Sequence, residues 1–274
     1  MVRFVRIDPP GTHCHYAALW DFLRDAPART FLEVGVGSGK LARLLVGRGL
    51  RGYGIDASDD AVTLAGSELQ REIADGRFML MGSDLLDTGA STFEPVDLGL
   101  SMMVMEHVED DVGFLRSIMR FIRPGGRLIV SVPGRRDRWS VEDETVGHVR
   151  RYDRADLEQT LQAAGLKDIV IHSVAVPVAN LLYGLGNVLI RRSGETSKSA
   201  WDKRDQTHQS GIREIPFKTV FPSWFNLILN PIVLYPLFVL QRLFYRTDLG
   251  LELMALARVP EDNSVPRDME AVAR

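Results

Sequence analysis

A chain of 274 residues with 45% apolar content is long enough for one large domain, or one domain with an elaboration, around a sizeable core. Its net charge of −3 argues against a nucleic-acid binder relying on a broad basic surface. The single cysteine, Cys14, excludes an intrachain disulfide and a cysteine-built zinc site, and makes a reducing, cytoplasmic compartment the expectation.

The N-terminus, Met1-Val-Arg-Phe-Val-Arg-Ile-Asp8, has an acid early and no long apolar core, so it does not read as a secretory signal. Residues 1–29 are read as an N-terminal cap segment. Then comes Phe31-Leu-Glu33-Val-Gly35-Val36-Gly37-Ser-Gly39-Lys40-Leu41, an apolar strand ending in an acid, a turn with glycine at every second position, and a helix start. Without a Cβ the backbone can turn tightly and come close to a ligand. The helix directs its free N–H groups at the same place. The dinucleotide fingerprint needs a glycine where Lys40 stands, and the phosphate-cradling loop needs Ser or Thr where Leu41 stands. A glycine turn with neither feature suits a nucleoside that carries no phosphate.

Strand and helix patterns alternate from residue 30 to about 176. The patterning predicts strands over Thr30–Val34, Gly52–Asp56, Arg77–Gly82, Asp97–Met102, Arg127–Val132 and Asp168–Val176, and helices over Lys40–Arg48, Asp59–Ile73, Asp110–Ile122 and Arg154–Ala164. Pro124-Gly125-Gly126 and Gly165 read as helix stops. Alternation of this kind implies an α/β fold with a mostly parallel sheet and helices on both faces. Ligands then bind at the carboxyl ends of the strands, near the switch point. Asp56 ends the second strand, seventeen residues after Gly39. A carboxylate there can accept from both hydroxyls of a ribose. The competing role, a cap on the next helix, can fall to Ser58 or Asp59.

Residues 177–246 break the pattern. Ser173 to Ile190 and Thr219 to Leu240 carry no charge, and a polar linker with Arg191, Arg192, Lys198, Lys203, Arg204, Arg213 and Lys218 separates them. Leu251 to Arg258 reads as a final strand, and 260–274 as a flexible tail. Twenty-two uncharged residues are enough to span a bilayer. One crossing would part the last strand from its sheet. Two are opposed by the shortness of the first segment and by Pro222, Pro231, Pro236, Asn226 and Asn230 in or beside the second. The favoured reading is an apolar helical cap that packs over the active site and can dip into a membrane surface. The alternative is plain core, or the interface of a homodimer.

Glu33-Val-Gly-Val-Gly-Ser-Gly39 resembles the first motif of class I S-adenosylmethionine-dependent methyltransferases. The resemblance covers roughly residues 30–176 and 250–258. It implies a seven-stranded Rossmann-like sheet whose last strand is antiparallel, with the apolar helical insert between strands six and seven. The implied cofactor-binding domain is 30–176 with 247–259, and 177–246 is the cap. The implied cofactor is S-adenosyl-L-methionine, held by Glu33, Gly35, Val36, Gly37, Gly39, Asp56, Ala57, Asp84, Leu85 and Met102, with Asp84 and the following backbone N–H on the adenine. Glu106-His107-Val108 is similar to the ending of the fourth strand in ubiquinone-pathway O-methyltransferases. The position where that group can place a further metal-binding acid is Met103, so no metal is expected. His107 is read either as a residue that orients the substrate or takes its proton, or as a cap for the next helix. N-terminal segments often close over the cofactor in this family. His13, His15 and Tyr16 fit that role and a solvent-exposed helix start equally.

The loop after the fifth strand ends in Gly147-His148-Val-Arg150-Arg151-Tyr152, which looks like a branch of small-molecule methyltransferases. An ordinary histidine suits proton removal at neutral pH, which makes His148 a candidate base. Arg150, Arg151 and Tyr152 are candidates to bind an acidic substrate group. The competing reading pairs both arginines with Glu142, Asp143 and Glu144 in a surface network. His172 and His208 are given no role. The reading is methyl transfer to a small, hydrophobic acceptor, most simply at oxygen, with His148 or His107 as base. The rivals are a catalytically silent cofactor-binding module, a protein or RNA methyltransferase, and a nicotinamide enzyme.

Overall fold

The computed structural model describes residues 3–25, 27–89, 91–194, 206 and 215–261. The tail, His208 and most of the expected polar linker lie outside the described residues.

The chain forms β1 (Phe4–Arg6), α1 (Pro10–Asp25), β2 (Thr30–Val34), α2 (Lys40–Val46), β3 (Arg51–Asp56), α3 (Asp59–Glu68), α4 (Gln70–Ala74), β4 (Phe78–Gly82), β5 (Val96–Met102), α5 (Asp111–Met119), β6 (Ile122–Pro133), α6 (Val141–Val146), α7 (Arg154–Ala164), β7 (Lys167–Val174), α8 (Val178–Arg192), β8 (Val220–Pro222), α9 (Pro231–Arg242) and β9 (Glu252–Arg258). The main sheet has seven strands in the order β4-β3-β2-β5-β6-β9-β7. β2 pairs in parallel with β3 on one side and β5 on the other, so the strand order reverses there. That is where a parallel sheet opens a crevice at its carboxyl edge. β9 runs against β6. Gly126 faces Val259 while Gly134 faces Leu251, so one number rises as the other falls. The family's seven-stranded, mostly parallel sheet is therefore present, with its last strand antiparallel.

By contacts the chain divides into two compact units: 1–25 with 132–155 and 171–254, and 26–131 with 156–170 and 255–274. In the second, Phe31, Leu32, Ile55, Leu98, Leu100, Leu115, Ile118 and Phe121 are buried almost completely. Strands this apolar on both faces are what a covered parallel sheet requires. Ser58 caps α3 by accepting from Ala61 N–H, and Asp110 caps α5 by accepting from Gly113 N–H.

Two expectations are corrected here. Asp59–Ile73 is two helices. The break falls at Leu69, which leaves helical geometry (φ −106°, ψ 14°) and is fully buried against Gly39. Packing at the glycine turn overrides the helical pattern. Pro124-Gly125-Gly126 does not end a helix, because α5 has already stopped at Met119. The three residues lie inside β6, where Gly125 takes φ 74° and its N–H reaches Val259 O.

In the first unit, β1 and β8 form a separate two-stranded antiparallel sheet. The side chain of Gln241, on α9, is buried. It donates to Cys14 O at 2.9 Å on α1 and accepts from Ala175 N–H at 3.1 Å after β7. Asp21 on α1 accepts two bonds from Arg242 and one from the Tyr245 hydroxyl, all 2.8–2.9 Å. Those bonds outweigh the effect of burial and hold its carboxyl below the usual range. His172 is stacked between Phe22 and Tyr245. The two apolar segments become α8 and α9. Among the described residues no helix is long and apolar enough to cross a membrane.

Candidate functional site

The glycine turn is fixed by two carboxylates. Glu33, at the end of β2, is buried and accepts a bond from the Ala42 N–H in the first turn of α2. α2 is preceded by Gly39 and has no capping side chain of its own, so Glu33 satisfies an N–H that a cap would normally take. Its second oxygen, Oε2, is buried with no partner among the described residues. Burial, with a smaller push from the Asp56 charge, raises the Glu33 carboxyl to about 8.

Asp56 ends β3 as expected. Its Oδ2 accepts from Gly37 N–H at 2.8 Å and its Oδ1 from Ser58 N–H at 2.9 Å. Each oxygen keeps a second lone pair, so two vicinal hydroxyls can still be received. Helix capping belongs to Ser58, not Asp56. Gly35, Gly37 and Gly39 all take positive φ. The surroundings of the first two differ. A Cβ on Gly35 would lie 2.3 Å from Val104 Cγ2, whereas one on Gly37 would meet nothing within 4 Å among the described residues. Gly35 is thus demanded by packing. Gly37 leaves backbone beside open space, bordered by the Asp56 carboxylate.

The other expected cofactor residues lie on the same unit. Val36 and Leu85 are buried, Met102 is partly buried, and Ala57 and Asp84 are exposed. Asp84 Oδ1 accepts from Leu86 N–H at 3.0 Å, and its backbone carbonyl accepts from the Thr88 hydroxyl at 2.9 Å. Met103 then takes φ 57°, turning the chain out of β5. Glu106 is fully buried and His107 partly buried in the short 3-10 turn that follows. His107 does not cap α5, since Asp110 does.

The second cluster belongs wholly to the other unit and is built around Asp143 on α6. Ser140 opens this helix with a capping box. Asp143 Oδ2 accepts from the Ser140 backbone N–H at 2.8 Å and from its hydroxyl at 3.0 Å. Asp143 Oδ1 accepts from His148 Nδ1 at 2.8 Å and from Arg151 Nε at 2.7 Å. A terminal nitrogen of Arg151 also donates to Gly134 O at 3.0 Å. Burial alone would push the Asp143 carboxyl up. The bonds from His148 and Arg151, with the Arg151 charge, win and hold it well below the usual range. A carboxylate accepting at Nδ1 makes Nδ1 the protonated nitrogen of a neutral His148, so Nε2 is the basic one.

The surface-network reading of this loop is therefore corrected. Arg151 does pair with Asp143, but Asp143 is completely buried and Arg151 nearly so. Glu142 pairs with Lys218 instead. Tyr152 is buried, and its backbone bridges to Gly134 between Pro133 and Arg135. Arg150 is partly buried. The sequence contained a signal for Asp143 in Ser140-Val-Glu-Asp143, the spacing of a capping box. His15 also departs from a solvent-exposed helix start. It is bonded to Glu252 on β9, whose carboxylate outweighs the effect of burial and raises the imidazole above its ordinary value.

Residues 12–171 match a family profile described as a methyltransferase domain. The chain is similar to a ubiquinone biosynthesis O-methyltransferase of Caulobacter vibrioides, at 34% identity over 125 residues, which is 43% of this chain and 48% of that protein. It spans about half the length of the first curated relatives it matches. It is also similar to a probable S-adenosylmethionine-dependent methyltransferase of Mycolicibacterium smegmatis, at 26% identity over 196 residues, covering 69% of this chain and 73% of that one. Among solved structures, phosphoethanolamine N-methyltransferase 2 of Haemonchus contortus in complex with S-adenosyl-L-methionine has a TM-score of 0.55 at 19% identity, covering 88% of this chain and 52% of that one. The [4+2]-cyclase SpnF has a TM-score of 0.52 at 18% identity, covering 89% and 80%. These two likenesses concern the fold alone.

Proposed function

This chain belongs to the methyltransferase-domain family, within the class I S-adenosylmethionine-dependent methyltransferases, and on that premise we propose that it transfers a methyl group to a small hydrophobic acceptor, at oxygen. One observation carries the cofactor side of the reading. Asp56 holds Gly37 at 2.8 Å beside open space and keeps lone pairs for two hydroxyls. The orphaned, buried Oε2 of Glu33 offers a further hydrogen-bonding atom to a ligand there, as a donor while the carboxyl keeps its proton. S-adenosylmethionine, when bound, supplies a methyl group activated by a positively charged sulfur. Asp56 would hold the ribose, and Asp84 with the Leu85 N–H would hold the adenine, as the family resemblance implies. The glycine turn and Val36, Ala57 and Met102 complete the cofactor's surroundings.

The chain's own work is then positioning and proton removal. Holding donor and acceptor in line at about 3–3.5 Å is the main source of rate when the methyl is already activated. An acceptor hydroxyl must lose its proton, and His148 Nε2 is assigned that step, with His107 as the second candidate. Asp143 fixes the orientation of the imidazole through its bond at Nδ1. Arg151 holds Asp143, which leaves Arg150 and Tyr152 as the residues assigned to an acidic group on the substrate. Acceptors of the polyketide, quinone or lipid-linked kind fit the apolar insert. The names of the relatives in the ubiquinone pathway favour oxygen over nitrogen.

Incubation with labelled S-adenosylmethionine and a panel of hydrophobic phenols and alcohols tests this. Transfer to at least one hydroxyl acceptor, lost on His148→Ala, is expected. Transfer that persists after both His148→Ala and His107→Ala removes the acid–base role. Because the cyclase SpnF shares the fold, a second reading is a chain that binds the cofactor without transferring its methyl. Binding of S-adenosylhomocysteine with no product from any acceptor would favour that reading.

A further inference from the structure

The segment from Ser223 to Leu243 places apolar side chains in water. Leu227 is 77% exposed, Ile232 87% and Leu243 77%, and Trp224, Val233 and Tyr235 are each more than half exposed. α9 has no charged residue before Arg242 at its end, so its outward side is as apolar as its buried side. A water-facing helix of a globular domain normally carries polar residues on that side. A concentration of exposed apolar side chains in one segment of this kind marks an interaction surface.

The charge pattern selects the partner. Residues 177–246 hold nine lysines and arginines against four acids, in a chain whose net charge is −3. From Pro216 to Thr247 there is no acidic residue at all. An apolar face with Trp and Tyr beside it, in a segment whose sequence carries an excess of lysine and arginine, matches an anionic lipid surface; Arg246 is exposed there, while Arg242 and Lys218 are bonded to Asp21 and Glu142. Length sets the depth. α9 has twelve residues, about 18 Å, against about 30 Å of hydrocarbon, so it can lie in the interface but cannot cross.

We propose that residues 223–243 form a docking surface for an anionic bilayer, with Leu227, Ile232 and Leu243 entering the headgroup–acyl boundary. This surface is separate from the cofactor chemistry and stands or falls independently of methyl transfer.

The test is co-sedimentation of the full chain with phosphatidylglycerol–phosphatidylcholine vesicles, and with pure phosphatidylcholine. The protein should pellet with the anionic vesicles and less so in high salt. The double variant Leu227→Glu/Ile232→Glu should lower partitioning by about tenfold or more, and the milder Leu243→Gln should lower it too. Calorimetry with S-adenosylhomocysteine should read the same for wild type and both variants. That reports an intact fold and keeps a failure here distinct from a failure of the proposed activity. Absence of pelleting, or pelleting unchanged in both variants, would overturn the proposal. So would a dimer in light scattering that the double variant dissociates with no vesicle binding by wild type, because the face would then belong to a second copy.

Discussion

Asp56 Oδ2 accepts the Gly37 N–H at 2.8 Å, so the acid at the tip of β3 and the middle glycine of the turn after β2 form one unit. Replacing Asp56 by Ala removes two bonds to a carboxylate, each worth about 1.5–3 kcal/mol, and the acceptor proposed for the ribose. Affinity for S-adenosylhomocysteine should fall by roughly ten- to a hundredfold in calorimetry. An unchanged dissociation constant would mean that the carboxylate serves the turn alone.

The glycines separate fold from ligand binding. Gly35→Ala puts a methyl 2.3 Å from Val104 and keeps φ at 79°. Overpacking of about 1–3 kcal/mol should appear as a lower melting temperature, partly restored by Val104→Ala. Gly37→Ala meets no atom of the described residues within 4 Å and should cost only the left-handed backbone preference, about 1–2 kcal/mol. Its cofactor affinity should fall because the new methyl occupies the ligand's space. Equal melting and binding losses in the two variants would contradict this division.

Much of that turn was legible in the sequence because it is local. Three glycines at alternate positions, an acid at each flanking strand tip and the strand–helix alternation are all read within a few residues. What escaped depended on distant contacts. The three-residue strands β1 and β8 are too short to show a period, and they pair across more than 200 residues. Leu69 breaks a helical pattern because it packs on Gly39. Asp143 looked like one acid in a surface run. Only the folded chain brings His148, Arg151 and Ser140 onto the same carboxylate.

The Asp143 cluster should dominate stability in acid. Its folded value is depressed, so its contribution is present above the unfolded value near 3.9 and is lost as pH falls through the folded value. Chemical denaturation should show stability dropping below about pH 4, with a shallower drop in Asp143→Asn. At neutral pH that variant leaves the Arg151 charge buried without its anion, and about 3–5 kcal/mol should be lost. If His148 is the base, Asp143→Asn should also lower kcat more than KM and shift the pH–rate profile, which a purely structural loss would not do.

Glu33 carries the opposite pH dependence. Burial first, and the Asp56 charge second, raise its carboxyl from an ordinary 4.5 to about 8, while the Ala42 N–H pulls the other way. The folded chain therefore keeps a proton that the unfolded chain releases. Its favourable contribution is complete below about pH 4.5, declines as pH rises, and is gone above about pH 8. Glu33→Gln keeps an acceptor for Ala42 and has no proton to lose. Its stability should be flatter across this window and exceed that of wild type above pH 8 by a few kcal/mol, since each tenfold change in proton affinity is worth about 1.4 kcal/mol. Denaturation of the ligand-free protein at pH 5, 7 and 9 reads this directly. Parallel curves for the two proteins would show that Glu33 is ionised in the fold, and that water or a rearranged turn satisfies its second oxygen.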